Sequence, residues 1–136
     1  MSTTASRGER RVMVVDDDAV NLLLAREVLN TFGVEPVTWN NGAEALTDYE
    51  RRPFGLILMD VHMPGMSGLQ LTDRIRAIER ETGRPRTPIV ALTASAMPHE
   101  LGECLRRDMD AVMCKPFAFE TLRATLSRWA IVGPAI

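Results

Sequence analysis

Five short apolar runs that alternate with five helical patterns predict an α/β protein, with a parallel sheet covered by helices on both faces. Two of the runs, Phe54–Met59 and Pro88–Leu92, are almost wholly apolar, as expected of strands buried on both sides. The length of 136 residues is that of one domain with a proper core. Right-handed crossovers restrict the topology but the alternation alone does not fix it. We expect a flavodoxin-like (βα)5 three-layer sandwich with strand order 2-1-3-4-5.

Arg11–Val15 reads as a β-branched strand ending at Asp16-Asp17-Asp18. Val20, Leu23, Leu24, Val28 and Phe32 then share one helical face, Gly33 stops the helix, and Asp18 is placed to cap it through the amide of Val20 or Asn21. Glu35–Trp39 is the second strand, and Asn41 caps a helix that runs to Tyr49. The Phe54–Met59 strand feeds a loop, Asp60–Gly68, and a helix over Leu69–Glu81 whose apolar positions are Leu71, Ile75 and Ile78. After Pro88–Leu92 come a helix from Pro98 to Arg107, a short strand Ala111–Cys114, and a last helix marked by Leu122, Leu126 and Trp129. Residues 1–10 read as a disordered lead-in or expression remnant, 11–130 as the domain and 131–136 as a tail.

Apolar residues make up 46% and charged residues 25%, an ordinary mix for a globular protein. The net charge of −2 gives no sign of a nucleic-acid binder that neutralises many phosphates. No apolar run is long enough to span a bilayer, and the polar N-terminus is not a secretory signal. Cys104 and Cys114 fit no metal spacing and are expected to be free thiols, which points to the cytoplasm.

In an open parallel α/β sheet, ligands bind beyond the carboxyl ends of the strands. Asp16 and Asp17 follow the first predicted strand, Asp60 the third, Thr93 the fourth and Lys115 the fifth, with Pro116 next. Three carboxylates, a hydroxyl and an ammonium therefore converge on one rim. Such carboxylates repel unless a cation neutralises them, and hard oxygen donors suit Mg²⁺. That combination fits phosphoryl transfer, in which a carboxylate is the nucleophile and positioned charges do most of the work.

The segments VMVVDDDAVN (12–21), LILMDVHMPGMSG (56–68), PIVALTA (88–94) and CKPF (114–117) resemble the receiver domains of two-component response regulators and hybrid histidine kinases. The resemblance runs from about Arg11 to Trp129. It implies that Asp60 accepts a phosphoryl group from a phosphohistidine of a histidine kinase or phosphotransfer domain. It further implies that Asp17, Asp60 and the backbone carbonyl of His62 hold Mg²⁺ (or Mn²⁺), with Asp16 acting mainly through water. Thr93 would be the mobile hydroxyl, Lys115 the phosphate's counter-charge, and Lys115–Pro116 a cis peptide bond. The first helix and the loop near Phe117 would dock the kinase, and residues 98–129 would contact a downstream protein. Neither nucleic acid nor membrane is an expected partner. His62 and Ser95 are candidate modulators of water access to the acyl phosphate.

One position departs from the family. Three residues before the lysine, where a Tyr or Phe is usual, stands Val112. Either Thr93 is coupled to the neighbouring loops and helix without that ring, or the phosphorylation-driven change is small, as suits a relay or phosphate sink. Other readings are weaker. A haloacid-dehalogenase-like phosphatase needs D-x-D-G-T after its first strand, whereas Asp18 is followed by Ala19-Val20. There is no P-loop or G-x-G-x-x-G, and Gly65-Met66-Ser67-Gly68 is not G-x-S-x-G. A pseudo-receiver that only binds is disfavoured because all five key side chains are present.

Overall fold

Period-two alternation along the strands sends successive side chains to opposite faces, so an apolar strand supplies two cores at once. In the computed structural model, which describes residues 10–94, 98–115, 119–129 and 131 (98–101 by backbone only), the element order is β1 Arg11–Val15, α1 Ala19–Thr31, β2 Glu35–Trp39, α2 Gly42–Arg51, β3 Leu56–Asp60, α3 Gly68–Thr82, β4 Ile89–Thr93, α4 Pro98–Arg106, β5 Ala111–Cys114 and α5 Phe119–Arg128. The five strands form one parallel sheet in the order β2-β1-β3-β4-β5, the expected topology. Met13, Val15, Ile57, Met59, Ile89 and Ala91 face a core shared with α2 and α3 through Ala45, Tyr49, Leu71 and Ile75. Val12, Val14, Leu56, Leu58, Val90 and Leu92 face the other core, closed by Ala25 and Leu29 of α1 and Leu122 and Leu126 of α5. Ile131 is buried in that second core as well.

Local signals set the helix ends. Asp18 accepts the amide of Val20 at 2.9 Å and Asn41 that of Glu44 at 2.8 Å, as their cap assignments require. Ser67 and Gln70 form a reciprocal capping box at the start of α3. Gly33 ends α1 with φ +73°, a conformation that favours glycine.

Three expectations are corrected. Only part of the α1 stripe faces the sheet: Val28 and Phe32 pack against the second core, whereas Val20, Leu23 and Leu24 are 71%, 59% and 45% exposed and the fully buried places go to Ala25 and Leu29. This helix is apolar around more than half its circumference, so periodicity could not choose the buried side. Strand β3 begins at Leu56 and includes Asp60, and Phe54 is instead buried beneath the guanidinium groups of Arg11 and Arg52. Strand β4 runs one residue later than expected, because Pro88 has no amide to donate and only its carbonyl joins the ladder, accepting from Ile57. Several arginines tie distant segments of the chain together. Arg84 donates to the carbonyls of Tyr49 and Arg52, Arg86 pairs with Asp110, and Arg107 pairs with Asp73.

Candidate functional site

The parallel ladders continue past the strands and carry the polar residues to one rim. The amide of Asp16 donates to the carbonyl of Trp39 at 3.1 Å, so β1 hands its last ladder bond to the first carboxylate. Asp60 is the last residue of β3, in register with Leu92 of β4. Lys115 extends β5 by donating its amide to the carbonyl of Thr93 at 2.7 Å. Thr93, the last residue of β4, is buried.

The side chains then meet. Asp16 is fully buried; one of its oxygens accepts the amide of Asp18 at 2.9 Å, and the other accepts Lys115 Nζ at 3.1 Å and the side-chain amide of Asn21 at 3.3 Å. Lys115 Nζ also lies 3.4 Å from Asp60 Oδ2. The backbone amide of His62 donates to Asp60 Oδ1 at 3.3 Å, while the residue itself is exposed. Each of Asp16, Asp17 and Asp60 offers an oxygen, and these three oxygens lie within 4.8 Å of one another, the one such acidic group among the described residues. Asp17 is exposed and the other two are buried.

Three carboxylates against one ammonium leave the rim electrically unbalanced. Burial and then the charge of Asp16 push the Asp60 carboxyl up to about 6, against the opposing pull of Lys115. Burial alone would lower the Lys115 ammonium; its hydrogen bond to Asp16 and the charges of Asp16 and Asp60 outweigh this and raise it. A divalent cation would relieve the repulsion. The donor set is all hard oxygen at short mutual range, which fits Mg²⁺.

Of the predicted site residues, Asp16, Asp17, Asp60 and Lys115 are brought together, and Thr93 stands beside them at the end of β4. Val112 is half-buried, pairs in register with Ala91 and packs against the core shared with α2 and α3. Pro116, Phe117, Ser95 and the side chain of His99 lie outside the described residues. Two positions were missed. Asn21 reaches Asp16 from the first turn of α1, and its place three residues past the cap Asp18 was the available signal. Gly68 opens α3 hard against the strand end. Its amide donates to the carbonyl of Val61 at 2.9 Å, and a β-carbon there would overlap the carbonyl oxygen of Asp60.

Comparison with known proteins accords with this geometry. The chain is 42% identical over 128 residues to the sensor protein GacS of Pseudomonas syringae pv. syringae, a match covering 92% of the chain but 14% of that longer protein. The receiver domain of the sensor histidine kinase PA1611 from Pseudomonas aeruginosa, solved with a magnesium ion coordinated in its active-site cleft, superposes with a TM-score of 0.78 at 34% identity over 88% of this chain and 95% of that one. The receiver domain of the response regulator Ssk1, solved with the histidine phosphotransfer protein Ypd1 of Saccharomyces cerevisiae, superposes with a TM-score of 0.83 at 25% identity over 88% and 87%. The model of the response regulator receiver domain matches residues 12–127. A two-component signalling domain is therefore what the rim, the topology and the relatives have in common: the chain belongs to the response regulator receiver domain family.

Proposed function

We propose that Asp60 accepts a phosphoryl group from a phosphohistidine of a histidine kinase or phosphotransfer domain, and that residues 11–130 form the unit that does so. A carboxylate oxygen of Asp60 attacks phosphorus, the P–N bond breaks, and its electron pair returns to the imidazole of the donor. The observation that carries this reading is the ammonium of Lys115 at 3.4 Å from the same carboxylate that Asp16 and Asp17 crowd. Lys115 is positioned to meet the charge that develops on the phosphoryl oxygens, and the hydroxyl of Thr93, at the neighbouring strand end, to take one of them.

Asp17, Asp60 and the backbone carbonyl of His62 would hold Mg²⁺, or Mn²⁺, with Asp16 acting through water. Bound there, the ion supplies neutralisation of the carboxylates and of the phosphoryl oxygens. The chain would catalyse only its own phosphorylation and dephosphorylation and would signal by protein contact. Val112, in place of the usual ring, favours a relay or sink with a small conformational change. The exposed Val20, Leu23 and Leu24 of α1 support docking of a donor on that helix, beside Phe119, whose ring packs 4.7 Å from that of Phe32. Residues about 98–129 would be the surface for a downstream protein. Two free thiols and a phosphohistidine donor suit the cytoplasm. Among the described residues no helix is long and apolar enough to cross a membrane. The chain could serve as a stand-alone regulator or as the receiver of a hybrid kinase.

Incubation with Mg²⁺ and acetyl phosphate, followed by intact-mass measurement, tests the assignment. Wild type should gain one phosphoryl mass that EDTA prevents and that Asp60→Asn abolishes. An equal gain in the Asp60→Asn protein removes Asp60 from the role.

A further inference from the structure

We propose that Asn21 is a positioning residue that lets Lys115 transfer from Asp16 to the phosphoryl group. The inference rests on the reading of Asp60 given above. Asp16 is fully buried and its Oδ2 carries two donors, Lys115 Nζ at 3.1 Å and Asn21 Nδ2 at 3.3 Å. Its Oδ1 is already held by the amide of Asp18. The same ammonium lies 3.4 Å from Asp60, so Lys115 bridges the two carboxylates.

When the phosphoryl group adds to Asp60, negative charge grows on that side and draws the ammonium towards it. Lys115 can leave Asp16 cheaply only if the buried oxygen keeps another donor, because an unpaired buried carboxylate oxygen carries a desolvation penalty. Asn21 provides that donor from the first turn of α1. It brings no charge of its own, so it does not compete with Lys115 for the phosphoryl oxygens or with a cation for Asp17. Asn21 is half-buried and its bond to Asp16 is the one side-chain hydrogen bond it makes among the described residues. Without that amide, Lys115 must stay on Asp16 or leave its Oδ2 without a protein donor, and phosphorylation slows at the step rather than at donor binding.

The experiment compares wild type, Asn21→Leu, which keeps the volume and loses the donor, and Asn21→Gln, which keeps the amide. Phosphorylation by acetyl phosphate is followed by mass. Mg²⁺ affinity is measured by calorimetry, and the ammonium signal of Lys115 by ¹H–¹⁵N spectroscopy before and after beryllofluoride. Asn21→Leu should lower the maximal rate about tenfold, the loss of one hydrogen bond to a charged group, with half-saturating donor and Mg²⁺ affinity within about twofold of wild type. Its Lys115 signal should move less on beryllofluoride than in wild type, and Asn21→Gln should recover both properties. If the Leu and Gln variants are equally slow, or the rate loss tracks lost Mg²⁺ affinity, Asn21 is a structural residue and the inference fails while Asp60 keeps its role. A wild-type protein that gains no phosphoryl mass sinks the underlying reading and this inference together.

Discussion

The two ends of the sheet both bury charge, and they do so in opposite ways. At the amino ends of β4 and β5, Arg76 bridges Glu79 and Asp110, and Arg86 completes the pair with Asp110. Every carboxylate oxygen there has a donor. Glu79 Oε1 takes Arg76, Glu79 Oε2 takes Arg76, Tyr49 and the amide of Thr87, Asp110 Oδ1 takes Arg86, and Asp110 Oδ2 takes Arg76 and the amide of Ile89. Two cations meet two anions. At the carboxyl ends, three carboxylates share one ammonium, and Asp60 is driven up to about 6. A balanced and saturated network holds elements together; an unbalanced one stores a demand for a cation and a counter-charge. The contrast separates structural charge from functional charge within one molecule.

The largest test of the contrast is to unbalance the balanced end. Arg76→Met leaves Glu79 without its cation while it stays buried, and should cost about 3–5 kcal/mol in urea unfolding, with Mg²⁺ affinity of the folded protein unchanged. A loss below about 1 kcal/mol would mean the network is ornamental.

The reverse change at the other end should stabilise. The folded protein binds the Asp60 proton more tightly than the unfolded chain, whose carboxyl titrates near roughly 4. Stability from this group is therefore fully present below that value and is lost as pH rises through about 6. In EDTA at pH 7, Asp60→Asn should raise unfolding stability by about 2–3 kcal/mol, and the gain should fade towards pH 4. Added Mg²⁺ should shrink the gain, because the ion stabilises the wild type in proportion to its binding. A gain that is the same at pH 4 and pH 7 would detach it from Asp60 ionisation.

Gly68→Ala asks how tightly the rim is set. The new methyl group has no room beside the Asp60 carbonyl, and thermal unfolding should show a loss of about 1–3 kcal/mol with weakened Mg²⁺ binding. Unchanged melting and Mg²⁺ binding would show that the α3 start yields freely. The smallest effect belongs to a local signal that joins neither charge cluster. Ser67→Ala removes one half of the capping box and should cost about 1 kcal/mol by urea midpoint without altering Mg²⁺ affinity.

Much of this molecule was legible in one dimension. Strand runs such as Leu56–Met59 are apolar on both faces, so a two-sided core follows from composition and period. Asp18 and Asn41 announce helix starts because a cap is a contact between near neighbours in sequence. Asp16, Asp17, Asp60, Thr93 and Lys115 could be read as one cluster because parallel topology sends every strand's carboxyl end to the same rim. What remained hidden depends on contacts between distant segments or on the choice between equivalent faces. The apolar residues of α1 surround most of the helix, and only its seating on the sheet decided that Ala25 and Leu29 go inward and Val20, Leu23 and Leu24 outward. Phe54 looked like the start of a strand until the arginines above it were placed. The partners of Arg84 and Arg86, carbonyls and a carboxylate more than twenty residues away, were likewise out of reach of any local pattern. Composition, period and near-neighbour chemistry are properties of the chain itself. Burial of one face over another, and the division of one oxygen of Asp16 between Lys115 and Asn21, arise only when segments far apart in sequence compete for the same space.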